Sequence, residues 1–175
     1  MASVKTERAV YALIVVAMGL LVWAVADMYR EKVVVAGDTA PDFAIRADNG
    51  RTVTRSSFGG KLLVLNFWAT WCPPCVEELP SLNEFQKTFA DSGVVVLGVS
   101  VDTNPKVYQA FLKRANVAIM TARDPEAKIP SQYGTYQYPE TYIIDREGKV
   151  VEKIIGATNW TDPAMASRVK ALLAS

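Results

Sequence analysis

Two strongly apolar runs, Lys61–Trp68 (KLLVLNFW) and Val94–Val101 (VVVLGVSV), restrict the fold more than anything else in this chain. Neither alternates apolar with polar residues, so each reads as a strand buried on both faces, as in a sheet covered by helices. Between them Val76, Leu79, Leu82, Phe85 and Phe89 recur at helical spacing, with Glu77, Glu78, Asn83, Glu84 and Lys87 interspersed. That is an amphipathic helix, and Pro80 inside it should bend it. Upstream, Phe43–Ala47 and Arg51–Thr54 flank Asp48-Asn49-Gly50, which predicts an N-terminal β-hairpin because Asn and Gly accept positive φ. Downstream, a helix from about Pro105 to Ala115, a strand over Val117–Ala122 and a short helix over Glu126–Tyr133 are expected. Thr141–Asp145 and Lys149–Ile155 form a second hairpin around Arg146-Glu147-Gly148, and a helix from Asp162 to Leu173 closes the chain. The fold class is therefore α/β, a mixed sheet flanked by helices with an N-terminal hairpin extension.

Ahead of this lies AVYALIVVAMGLLVWAVA, from Ala9 to Ala26, without a charge. As a helix its length approaches the thickness of a bilayer core. Lys5 and Arg8 precede it, whereas Asp27, Arg30, Glu31 and Lys32 follow with no net charge, so the positive-inside rule keeps the N-terminus in the cytoplasm. Residues 1–8 are then a cytoplasmic N-terminus, 9–26 a transmembrane anchor, 27–38 a tether and 39–175 the folded domain on the outer side. The alternative is a signal peptide, because Ala24-Val25-Ala26 has the small-x-small form that a signal peptidase accepts. Either reading exports the domain.

Nineteen Lys and Arg against eighteen Asp and Glu leave too little positive charge for a nucleic-acid partner. The sequence contains no histidine, which removes the commonest general base and zinc ligand. Both cysteines of the protein, Cys72 and Cys75, lie in Trp71-Cys72-Pro73-Pro74-Cys75. A disulfide across so short a loop stabilises a fold by only roughly 2 kcal/mol, so stapling explains the pair poorly. A zinc site lacks two further ligands, and a c-type haem site lacks the histidine that would stand at Val76. Redox exchange needs nothing more than the two sulfurs. With a strand ending near Trp71 and a helix starting near Cys72, the first sulfur sits at a helix N-terminus, where unpaired amides and the macrodipole stabilise a thiolate. Cys75, one turn further in, is suited to attack a mixed disulfide formed at Cys72.

The run NFWATWCPPC resembles the active-site strand and loop of thioredoxin-like proteins, and Tyr138-Pro139-Glu140-Thr141 resembles their cis-proline loop. Together with GDTAPDF, Glu78, YPETYIID and REGKVV, these motifs are similar to the ResA, TlpA and cytochrome c maturation branch, from about Gly37 to the C-terminus. The resemblance implies a thioredoxin-like fold preceded by one transmembrane helix, with Cys72 as nucleophile and Cys75 as resolving thiol. It implies a cis Pro139 packed on the disulfide and a Tyr138 backbone that pairs with substrate. Thioredoxin carries a buried aspartate where this chain has Asn66, and the branch uses a glutamate at the position of Glu78, which points to Glu78 as proton relay; the rival reading is a solvated helix glutamate. Trp71 is expected to be exposed and to contact substrate, and Trp68 to be either core or contact. Tyr133, Tyr136 and Tyr138 cluster near Pro139 in sequence.

The function implied is a protein disulfide reductase acting on exported proteins such as apocytochromes c, through their haem-binding cysteines, with the thiols of a copper-site assembly substrate as an equal alternative, a membrane thiol-electron transporter as reductant and no cofactor. Two other functions stay open at this stage. GDTAPDF also resembles peroxiredoxins, which suggests a thiol peroxidase, although Ala69 stands where those enzymes carry threonine. A disulfide oxidase or isomerase would use the same cysteines in the other direction.

Overall fold

The computed structural model describes residues 3–28 and 33–174, and the chain divides into two compact units, the second beginning at Val33. The first unit is the helix α1, Ser3–Met28, whose side chains from Glu7 to Val25 are all exposed within the unit. Glu7–Val25 is long and apolar enough, by length and composition, to cross a membrane. Of the expected tether, residues 29–32 lie outside the described residues. Val34 already belongs to the second unit: it is buried, its N–H donates to the Tyr133 carbonyl (3.1 Å), and the Gly37 N–H donates to Val150 (2.7 Å).

The second unit opens with the expected hairpin, β1 (Ala44–Arg46) against β2 (Thr52–Thr54), in antiparallel register. Its turn needs positive φ at Gly50 alone; Asn49 instead accepts the Arg51 N–H through its side chain (3.0 Å). The main sheet has the order β5-β4-β3-β6-β7, built from β3 (Leu62–Trp68), β4 (Val94–Ser100), β5 (Met120–Arg123), β6 (Glu140–Ile144) and β7 (Val150–Ile155). The first three run parallel, and β6 and β7 join antiparallel on the other side of β3. Every residue of β3 is buried, Asn66 included, as expected of a mainly apolar central strand.

Alternation along β3 divides the core. Leu62, Val64 and Trp68 face α2 (Pro73–Phe89), α3 (Pro105–Arg114) and α5 (Pro163–Ala174), packing with Leu79, Leu82, Phe85, Phe111, Trp160, Met165 and Val169. Leu63, Leu65 and Phe67 face the N-terminal segment and α4 (Lys128–Gln132), packing with Phe43, Phe58, Ile129 and Tyr133. Two successive right-handed crossovers stepping the same way along the sheet put α2 and α3 on one face. Helix α2 continues through Pro80 to Phe89.

One boundary departs from the sequence pattern. Strand β5 starts at Met120, not at Val117, because Asn83 of α2 takes the backbone first: its Oδ1 accepts from Ala118 (2.8 Å) and Ile119 (3.3 Å), and its Nδ2 donates to the Asn116 carbonyl (3.2 Å). Asn83→Ala leaves those groups without their side-chain partner. The expected cost is about 1–3 kcal/mol, read as a lowered urea midpoint at unchanged slope; an unchanged midpoint would show that water replaces the amide at no cost.

Candidate active site

The end of β3 and the start of α2 place the two sulfurs. The strand stops at Trp68, where its apolar run ends, so it does not itself reach Trp71; Ala69–Trp71 instead turns the chain into the helix. That turn is held from outside: the buried Asp102 carboxylate accepts from Thr70 N (2.9 Å), Thr70 Oγ1 (2.5 Å) and Ser100 Oγ (2.6 Å), while the Val101 N–H donates to the Trp68 carbonyl (3.0 Å). Nothing in the sequence pattern singles out Asp102, which acts on the loop from the end of a different strand.

Cys72 is the N-cap of α2, and it is joined to Cys75 by a disulfide. Pro73 and Pro74 occupy the first two helical positions and have no amide hydrogen. The unpaired amides expected at this helix start therefore reduce to one aimed at the sulfur, that of Cys75, which donates to Cys72 Sγ at 3.4 Å. The next amide, Val76, already bonds the Cys72 carbonyl (3.1 Å). Cys75 is 1% exposed and Cys72 5%, so the remaining solvent access to the disulfide lies at Cys72.

Across from Cys72 lies the loop ahead of β6. The Tyr138–Pro139 peptide is cis, and the Tyr138 carbonyl oxygen is 3.5 Å from Cys72 Sγ. Pro139 is buried, and its own carbonyl accepts from Gly156 N (2.9 Å). The following residue anchors the loop: the Glu140 carboxylate, itself buried, pairs with Lys153 (2.6 Å) and accepts from Tyr142 OH (2.5 Å) and Thr135 Oγ1 (3.1 Å). Trp71 is 63% exposed and meets the half-buried Tyr138 edge-on, with ring centroids 6.1 Å apart. The other aromatic residues part company. Trp68 is fully buried beside Tyr108 and Phe111, and Tyr133 is a core residue whose hydroxyl donates to the Pro41 carbonyl (3.0 Å). Tyr136 projects into solvent, so the tyrosine cluster of the sequence is not a cluster in space.

Glu78 is not a solvated helix glutamate. It is 4% exposed, whereas its neighbour Glu77 and Glu84 are exposed. Its Oε1 accepts from Asn66 Nδ2 (2.8 Å), and its Oε2 accepts from Thr158 N (3.1 Å) and Trp160 Nε1 (3.4 Å). Asn66 also donates to Thr141 Oγ1 (2.9 Å), while its Oδ1 is buried without a hydrogen-bond partner among the described residues. Turning that amide over would offer the oxygen to a protonated Glu78. Asn66 is thus bonded directly to the carboxyl one helical turn past Cys75. Thr158 and Trp160, some eighty residues away, carry no sequence signal for this role.

Burial pushes the Glu78 carboxyl above the ordinary glutamate value, against the lowering effect of its bonds to Thr158, Asn66 and Trp160. The native state therefore keeps this proton at pH values where the unfolded chain has lost it. The stability contribution is complete below the ordinary value of 4.5 and is lost as pH rises through the elevated native value. Compared with Glu78→Gln, the oxidised protein should lose stability progressively as pH rises through that window, in urea titrations of both proteins. Parallel pH profiles for the two would show that the carboxyl titrates normally.

Comparison with known proteins agrees with this geometry. The AhpC/TSA family profile matches residues 36–153. The thiol-disulfide oxidoreductase ResA of Bacillus cereus is 35% identical over 127 residues, 73% of each chain. ResA of Geobacillus thermodenitrificans is 34% identical over 151 residues, 86% of each. Among solved structures, a DsbE-type thiol:disulfide interchange protein from Chlorobium tepidum superposes with a TM-score of 0.74 at 32% identity, covering 80% of this chain and 99% of that one. Its cysteine pair, its thioredoxin-like sheet and these relatives agree: the chain belongs to the AhpC/TSA family, as a thioredoxin-like thiol-disulfide oxidoreductase of the ResA type.

Proposed function

We propose that this oxidoreductase reduces disulfides of exported proteins, with the haem-binding cysteines of apocytochromes c as its substrate. The observation that carries the reading is the pairing of a Cys72–Cys75 disulfide with the Tyr138 carbonyl 3.5 Å away, next to the cis peptide. An extended substrate segment added against Tyr138 would bring its own sulfur up to Cys72. In this reading Cys72 is the nucleophile, Cys75 resolves the mixed disulfide and Glu78 exchanges the proton that Cys75 must give up. Trp71, Tyr138 and Pro139 hold the substrate chain.

The N-terminal helix supports the rest. As a signal-anchor it would keep residues 1–8 in the cytoplasm and the catalytic domain on the outer side of the membrane. That compartment is oxidising, so the dithiol must be regenerated by electrons brought across the bilayer, which calls for a membrane thiol-electron transporter as partner.

The peroxidase alternative rests on the resemblance of GDTAPDF to peroxiredoxins, but Ala69 offers no hydroxyl three residues before Cys72. The oxidase or isomerase alternative differs only in direction.

A Cys75→Ser chain cannot release what Cys72 captures. Expressed full-length in cells that make c-type cytochromes, it should accumulate mixed disulfides on Cys72 that mass spectrometry identifies as CxxCH-containing polypeptides. Captured proteins that never include a cytochrome would refute the substrate class.

A further inference from the structure

Thiol exchange moves protons as well as electrons, and here one of the two sulfurs is sealed off. The Cys72 thiolate attacks a substrate sulfur, forming a mixed disulfide and releasing a substrate thiolate that takes its proton from solvent. The Cys75 thiol then loses its proton, and its sulfur attacks Cys72, closing the Cys72–Cys75 bond and expelling the second substrate thiolate. Two electrons pass from the dithiol to the substrate disulfide. The Cys75 proton must leave a site only 1% exposed, with docked substrate covering Cys72.

Glu78 spans two environments. One carboxylate oxygen faces inward to Asn66; the other lies against Thr158 and Trp160. On that second side a solvent-facing cleft of about 250 Å³ is lined by Glu77, Glu78, Ser81, Ala157, Thr158 and Asn159. None of Trp71, Cys72, Tyr138 or Pro139 borders it. Ser81 fixes its floor: its hydroxyl donates to the Glu78 carbonyl (2.8 Å) and accepts from Trp160 N (3.2 Å). Around the carboxylate, β3 supplies Asn66, β6 supplies Thr141 behind it, and the 157–160 loop supplies neutral groups. Helix α2 supplies Cys75 and the exposed Glu77, so the one charged side chain lining the cleft beside Glu78 is that of Glu77.

We propose that the Cys75 proton leaves through Glu78 into this cleft between α2 and the loop from Ala157 to Trp160, and not across the surface that docks substrate. The loop is the positioning device: Thr158 N and Trp160 Nε1 hold one oxygen at the cleft while Asn66 holds the other toward the interior. Proton exit is then independent of how completely a protein substrate covers Cys72. The inference rests on the relay role proposed above for Glu78.

The full chain in detergent, reduced and mixed with 5,5′-dithiobis(2-nitrobenzoate), tests it in one stopped-flow trace. The first nitrothiobenzoate released reports attack by Cys72, and the second reports resolution by Cys75. Glu78→Gln should slow the second phase by about a hundredfold and leave the first unchanged. Ala157→Trp, at an exposed position that fills the cleft, should slow the second phase several-fold with no change in the first. Trp160→Phe removes one donor to the carboxylate and should move the pH midpoint of the second phase upward. If Glu78→Gln slows the second phase but Ala157→Trp leaves it at the wild-type rate, the cleft route is wrong while the relay stands. If Glu78→Gln leaves the second phase unchanged, the relay itself fails and the route with it.

Discussion

The architecture depends on how one buried strand is allowed to end. Strand β3 is sealed on both faces, so its chain must leave the sheet into a helix without stranding polar backbone groups. The sequence achieves this with two prolines, which have no amide to leave unpaired, and with a cysteine as N-cap. The single amide left over, that of Cys75, points at Cys72 Sγ. The same step that ends the strand thus creates the electrostatic environment for a reactive sulfur, while Asp102 fixes the approach from β4 and the Glu140–Lys153 pair fixes the facing loop from β7.

Beneath the disulfide the chain uses a divided solution to the problem of a buried acid. A lone carboxylate in that position would be costly to ionise. Here the strand position carries a neutral amide, and the acid sits on the helix, where the Asn66 amide and two donors from the loop after β7 partly offset its desolvation. The balance favours the protonated form relative to an ordinary glutamate, and it can be tuned by the 157–160 loop without touching the cysteines.

Much of this was legible in the sequence because it is local. The two strongly apolar runs, the helical spacing from Val76 to Phe89 and the Asn-Gly turn each depend on neighbours a few residues away, and each element formed. The cysteine pair was legible from its spacing and from the ligands that zinc or haem would lack, whereas the cis proline was legible only through family resemblance, since nothing in the physics of a tyrosine-proline bond by itself favours cis. What stayed hidden is long-range. The start of β5 is decided by Asn83 on α2, the active-site turn by Asp102 thirty-two residues further on, and the state of Glu78 by Thr158 and Trp160 eighty and eighty-two residues away. A periodicity marks which face of a helix is buried. It does not mark which buried carboxyl meets a distant loop, and so Glu78 could not be separated from a surface glutamate by pattern alone.

The central claim is that Cys72 and Cys75 form a reversible redox couple. Equilibrating the full chain in detergent with graded mixtures of reduced and oxidised dithiothreitol, and following the fluorescence of Trp71 beside the disulfide, measures it directly. The account predicts one reversible transition with a slope of about 30 mV per tenfold change in the ratio, as for two electrons, abolished by Cys72→Ser. A folded protein that shows no such transition, or one with the broader dependence of about 59 mV per tenfold change expected for a single electron, would contradict it.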